Sequence, residues 1–121
     1  MEILLFVNDN ILIKESIENY LDSVGFKVDS CLDGLEALDK FNKNTYDLIL
    51  MDNNLPSMSG YNLVRSIREK DLRIPILVFC SVEYDKEKLT PHVQGIFDQN
   101  IDEEELAEKI REEINKNKKL S

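Results

Sequence analysis

Three short runs in this chain are apolar at almost every position: Ile3 to Val7, Leu48 to Met51 and Ile74 to Phe79. A strand with one face in water alternates apolar with polar, so unbroken runs of this length read as strands covered on both faces. Between them, apolar residues recur at helical spacing. Ile13, Ile17, Tyr20, Leu21 and Val24 mark a first helix that Gly25 should end. Asp33 and Glu36 form a capping-box pair ahead of a second helix with Leu35, Leu38 and Phe41 as its stripe, and Leu63, Val64 and Ile67 mark a third. Glu83 to Leu89 suffices for two turns before Thr90-Pro91, which makes the fourth helix short. Asp102 and Glu105 open the last helix, carried by Leu106, Ile110 and Ile114. Residues 26–30 alternate in polarity and residues 95–98 are few, as suits edge strands.

This alternation predicts an α/β fold: a doubly wound, five-stranded parallel sheet with right-handed crossovers and strand order 2-1-3-4-5. The 121 residues suit one domain, read as residues 1–115, with residues 116–121 as a tail or the start of a linker. The longest apolar run is far too short to span a bilayer, and Met1 leads into a strand with no basic leader, so the expected compartment is the cytoplasm. A net charge of -9 argues against nucleic acid as a partner. The one basic cluster, Lys116, Lys118 and Lys119, falls where cations complement a helix's carboxyl end. Cys31 follows the second strand and Cys80 ends the fourth, roughly 14 Å apart across three strand spacings, so both are expected as free thiols.

The strand order brings the carboxyl ends of strands one and three together, and with them Asn8, Asp9 and Asp52. Two carboxylates beside loop carbonyls offer hard oxygen ligands suited to Mg²⁺, which can neutralise a phosphoryl group while Asp52 attacks phosphorus. Taken singly, Asp9 reads as a helix cap and Asp52 as a strand end. Their convergence at the switch-point edge favours chemistry.

With strand one ending in Asn8-Asp9, Asp52 ending strand three and the LPSMSG loop closing at Gly60, the chain resembles the receiver domain of bacterial response regulators over essentially its whole length. The resemblance implies a flavodoxin-like receiver fold working in a phosphorelay. Asp52 would accept a phosphoryl group from a histidine kinase or phosphotransfer protein, Asp9 and the backbone carbonyl of Asn54 would bind Mg²⁺, and a downstream protein or output domain would read the result. It also exposes departures. Asn8 stands where a second carboxylate usually helps hold the metal, often through water. Cys80 replaces the hydroxyl residue ending strand four, and Gln99-Asn100 replaces a Lys-Pro pair. Ser81, next to Cys80, should point to the other side, and Ile96 replaces the switch aromatic of strand five while Phe97 faces away from it. These losses motivate an alternative, a pseudo-receiver that binds proteins without being phosphorylated. Enzyme readings fit poorly: an aspartyl phosphatase wants an acid where Asn54 stands, and a flavin carrier wants a glycine-rich loop after strand one. His92 is expected in a solvent-facing loop, and Cys80 as a buried, inert thiol.

Overall fold

In the computed structural model, which describes residues 1–120, the apolar runs become the three inner strands of a parallel sheet: β1 (Ile3–Val7), β3 (Leu48–Asp52) and β4 (Ile76–Phe79). The edge strands β2 (Lys27–Cys31) and β5 (Gly95–Phe97) complete the predicted order β2-β1-β3-β4-β5. Connections run through α1 (Ile11–Ser23), α2 (Gly34–Lys43), α3 (Gly60–Arg68) and α4 (Glu83–Leu89), and α5 (Glu103–Leu120) follows the last strand. Among the described residues, no helix is long and apolar enough to cross a membrane.

Side chains alternate along a strand, so each inner strand feeds two cores. Leu5, Val7, Ile49, Met51, Ile76 and Val78 pack with Ala37, Leu63, Val64 and Ile67 of α2 and α3. Leu4, Phe6, Leu48, Leu50, Leu77 and Phe79 pack with Leu21, Leu106, Ile110 and Ile114 of α1 and α5. The register sets Phe6 beside Leu50 and Leu50 beside Leu77, so each apolar layer continues from strand to strand. Full burial contributes about 1.5 to 3 kcal/mol per Leu or Ile side chain, which is what the paired cores supply.

Caps place the helix starts. The Asn10 side chain accepts from the N–H groups of Leu12 (3.1 Å) and Ile13 (3.2 Å), so Asn10, and not Asp9, caps α1. Asp33 accepts from Glu36 N–H at 2.8 Å, and Asp102 from Glu105 N–H at 3.4 Å. Gly25 ends α1 with a φ of +104°, which a side chain rarely tolerates.

Three expectations need correction. Leu35 is exposed, and the buried stripe of α2 runs through Gly34, Ala37, Leu38 and Phe41. β4 begins at Ile76, because Pro75 has no N–H and offers the sheet only its carbonyl, 2.9 Å from Ile49 N. Residues 116–120, expected as tail, are the last turns of α5; Arg73 donates to the carbonyl of Leu120 there, and Ser121 lies outside the described residues. Both cysteines are buried and free, as expected, and burial pushes the Cys31 thiol up to about 12.

α4 stops at Leu89 and passes into a single 3₁₀ turn, Thr90–His92. Half-buried Arg68 fastens this irregular stretch. Its guanidinium donates to the carbonyls of His92 (2.8 Å), Asp71 (3.1 Å) and Ile74 (2.9 Å) and to the Gln94 side chain (3.1 Å). Arg68→Met should therefore cost roughly 2 to 3 kcal/mol by stranding these acceptors. In urea unfolding, the midpoint should fall while the slope stays unchanged.

Candidate functional site

Asp52 is the last residue of the central strand and is 7% exposed. Its Oδ1 accepts from Asn54 N–H at 3.2 Å, and its Oδ2 from the Gln99 side-chain amide at 3.4 Å. Burial raises its pKa above the usual aspartate range and the charge of Asp9 adds to this, while the N–H groups of Asn54 and Asn53 pull the other way. The carboxylate opens into a cleft of about 340 Å³, lined also by Asn53, Asn54, Cys80, Ser81, Asp85 and Gln99. Among the described residues lining it there is no Lys or Arg.

The loop after β3 is held against the strand by close backbone approach. Asn53 N–H donates to the carbonyl of Phe79, and the carbonyl of Asn53 accepts from Gly60 N–H, each at 3.0 Å. A Cβ on Gly60 would lie 2.7 Å from Asn53 Cα, so only glycine lets α3 start this near the acidic strand end.

The predicted residues meet here to different degrees. Asp52, Asn54, Cys80 and Gln99 share the cleft. Asp9 is exposed and outside its lining, yet near enough for its charge to act on Asp52. Asn8 is buried and spends its side-chain oxygen on the N–H of Asn10, at 2.8 Å, shaping the turn into α1. The Cys80 thiol turns to the carbonyl of Val82, at 3.7 Å. Ser81 lines the cleft although it was expected to face away, because β4 ends at Phe79 and strand alternation lapses beyond it. Ile96 and Phe97 do pack on opposite faces of the sheet, Ile96 towards α3 and Phe97 towards α1 and α5. His92 is half-buried beside the Tyr61 ring, 6.1 Å between centroids, and is not a solvent-facing loop residue.

Two polar residues of the cleft, Asn53 and Asp85, carry no mark in the sequence. Asp85, in the first turn of α4, accepts from the Asn53 side-chain amide at 3.1 Å. It lies between Glu83 and Glu87 in the sequence, and no spacing marks it out.

Among the described residues no group of three or more His, Cys, Asp or Glu could hold a metal. That does not disfavour Mg²⁺, which commonly takes one or two carboxylates and completes its shell with carbonyls, waters and phosphate. Asp9, Asp52 and the carbonyl of Asn54 fit that pattern, and a dication would offset the Asp9 charge that adds to the effect of burial on Asp52.

A carboxylate with a raised folded pKa destabilises the fold once ionised. The penalty is complete above the folded pKa and absent below the unfolded value, near 3.9. Asp52→Asn should therefore raise thermal stability at pH 7 without added metal. The gain should vanish in melts run below about pH 3.9.

Comparison with known proteins agrees with this geometry. The profile of the response regulator receiver domain matches residues 4–111. The probable transcriptional regulator ycf29 of Porphyra purpurea is 32% identical over 89% of this chain and 54% of its own length. The sensor histidine kinase RcsC of Salmonella typhimurium is 34% identical over 61% of this chain but only 8% of its own. The chain thus spans about half the length, or less, of these curated relatives. Among solved structures, the receiver domain of sensor histidine kinase PA1611 from Pseudomonas aeruginosa, with a magnesium ion coordinated in its active site cleft, superposes with a TM-score of 0.87 at 28% identity, covering 94% of this chain and 98% of that one. With five parallel strands in the order 2-1-3-4-5, an acidic strand end at Asp52 and a profile match from residue 4 to residue 111, the chain belongs to the response regulator receiver domain family.

Proposed function

We propose that this receiver accepts a phosphoryl group on Asp52 from the phosphohistidine of a histidine kinase or phosphotransfer protein, with Mg²⁺ held by Asp9, Asp52 and the Asn54 carbonyl. The observation that carries this reading is the buried Asp52 carboxylate, which faces an open cleft with an exposed acid, Asp9, close by. An Asp52 oxygen forms the new P–O bond as the P–N bond breaks, and the departing imidazole keeps the electron pair and takes up a proton. Bound Mg²⁺ would offset the charge of the phosphoryl oxygens. Gln99 already reaches Asp52 and can donate to one of those oxygens, but it brings no positive charge to offset theirs.

A groove of about 300 Å³ between α1 and α5, lined by Leu12, Ile13, Ile17, Ile101 and Leu106, joins the cleft through Phe79 and Gln99. An apolar partner helix seated there would bring its phosphohistidine to Asp52. In this role the domain is a stoichiometric acceptor in the cytoplasm and not an enzyme, and an output domain or separate protein reads its state. A pseudo-receiver that signals without phosphorylation is the second reading. It is favoured by the lack of a cation among the described lining residues and by the Cys80 thiol being engaged at Val82.

Beryllofluoride with Mg²⁺ distinguishes the two readings. The amide signals of Asp52, Asn54 and Gln99 should shift in the wild type and stay still in Asp52→Asn. Gln99→Lys should tighten binding about tenfold, the equivalent of roughly 1.4 kcal/mol for a restored cation beside the anion. A wild type that ignores saturating reagent, beside a Gln99→Lys variant that binds it, would establish the pseudo-receiver.

A further inference from the structure

The cleft carries one carboxylate for which phosphoryl transfer has no use. Asp85 shares the lining with Asp52 and is held there by the Asn53 side-chain amide at 3.1 Å. Asn53 cannot yield easily, since its N–H and its carbonyl are both tied, to Phe79 and Gly60. α4 can. It has seven residues, no side-chain hydrogen bond at its Val82 cap and a single buried residue, Leu89.

A phosphoryl group on Asp52 brings roughly two negative charges into this space. Among the described lining residues no Lys or Arg is present to absorb them, so the added like charge would enter the same cleft that Asp85 lines. We infer that Asp85 is a specificity-determining residue of the pocket: at rest it ties α4 to the acidic strand end through Asn53, and an incoming phosphoryl anion expels it and displaces α4. The inference rests on reading Asp52 as the acceptor. It gives the domain a route from phosphate to surface that needs neither the hydroxyl lost at Cys80 nor the aromatic lost at Ile96. The surface is close at hand, because Lys88 of α4 lies 4.5 Å above the ring of Tyr61 on α3 and would leave it when α4 moves.

The test titrates the full chain with beryllofluoride in Mg²⁺, as wild type and as Asp85→Asn, which keeps a side-chain oxygen for Asn53 but loses the charge. Asp85→Asn should bind three- to tenfold more tightly, by an amount that shrinks as salt rises. At saturation the wild-type amides of residues 83–89 should shift, and the Lys88 side-chain protons should lose the ring-current shift from Tyr61. Asp85→Ala, lacking the tie as well, should show displaced α4 signals before any anion is added. Equal or weaker binding by Asp85→Asn overturns the inference, as do stationary α4 signals at saturation or a failure of both proteins to bind. The acceptor reading is scored separately, by mass after treatment with acetyl phosphate. It falls only when neither protein gains a phosphoryl group, and a phosphorylated wild type whose α4 stays in place overturns the Asp85 role alone.

Discussion

A carboxylate held almost out of water at the end of the central strand is the constraint on which the rest of this structure depends. Asp52 is desolvated, it feels the charge of Asp9, and only the backbone N–H groups of Asn54 and Asn53 and one neutral amide offset this. Such a group works against folding at neutral pH, so the stability must come from elsewhere. It comes from β1, β3 and β4, whose residues are buried on both faces of the sheet and interleave with four helices. The same packing that makes the sheet stable makes its carboxyl edge rigid, and a rigid edge can keep an unfavourable charge in place.

The parts of this architecture that could be read from the sequence are those governed by one local rule. An apolar run four or five residues long has few ways to be buried other than as an inner strand, and Asp52 then falls at the sheet's edge by counting. Asp33 and Asp102 likewise announce helix starts through short-range capping. What escaped depends on distant partners or on helical phase. Arg68 binds carbonyls at Ile74 and His92 that no local pattern connects to it. Leu35 is more hydrophobic than Ala37, yet the phase of α2 buries the alanine. The last turns of α5 are polar in composition and look like a tail until Arg73 is seen at Leu120. Asp85 is chemically no different from Glu83 or Glu87, and only the direction of α4 selects it.

The replaced residues also form a pattern. Cys80 is turned to the carbonyl of Val82, and Ile96 packs towards α3. Neither supplies a hydrogen bond to Asp52, whose side-chain oxygens accept from Asn54 and Gln99. The route left runs from Asn53 through Asp85 into α4, a helix of seven residues with one of them buried and no side-chain hydrogen bond at its N-cap. Arg68 bounds that route on its far side by fixing the turn at His92, so movement of α4 would be confined to the seven residues between Glu83 and Leu89.

Charge accounting in the cleft then bears on how metal and phosphate depend on each other. Asparagine for a carboxylate at position 8 and glutamine for lysine at position 99 cancel in the local sum. Asp85 is not cancelled, and it leaves the lining with two carboxylates and, among the described residues, no cation. On the proposed chemistry, a dication gains from that surplus, whereas a phosphoryl group is opposed by it until the dication is present. Each ligand therefore removes a cost borne by the other, and linkage makes that favour reciprocal. Where a lysine would let phosphate be held partly by the protein's own charge, this cleft leaves the work to the metal. Occupancy by phosphate should follow the free Mg²⁺ concentration more steeply than it would in a receiver with that cation.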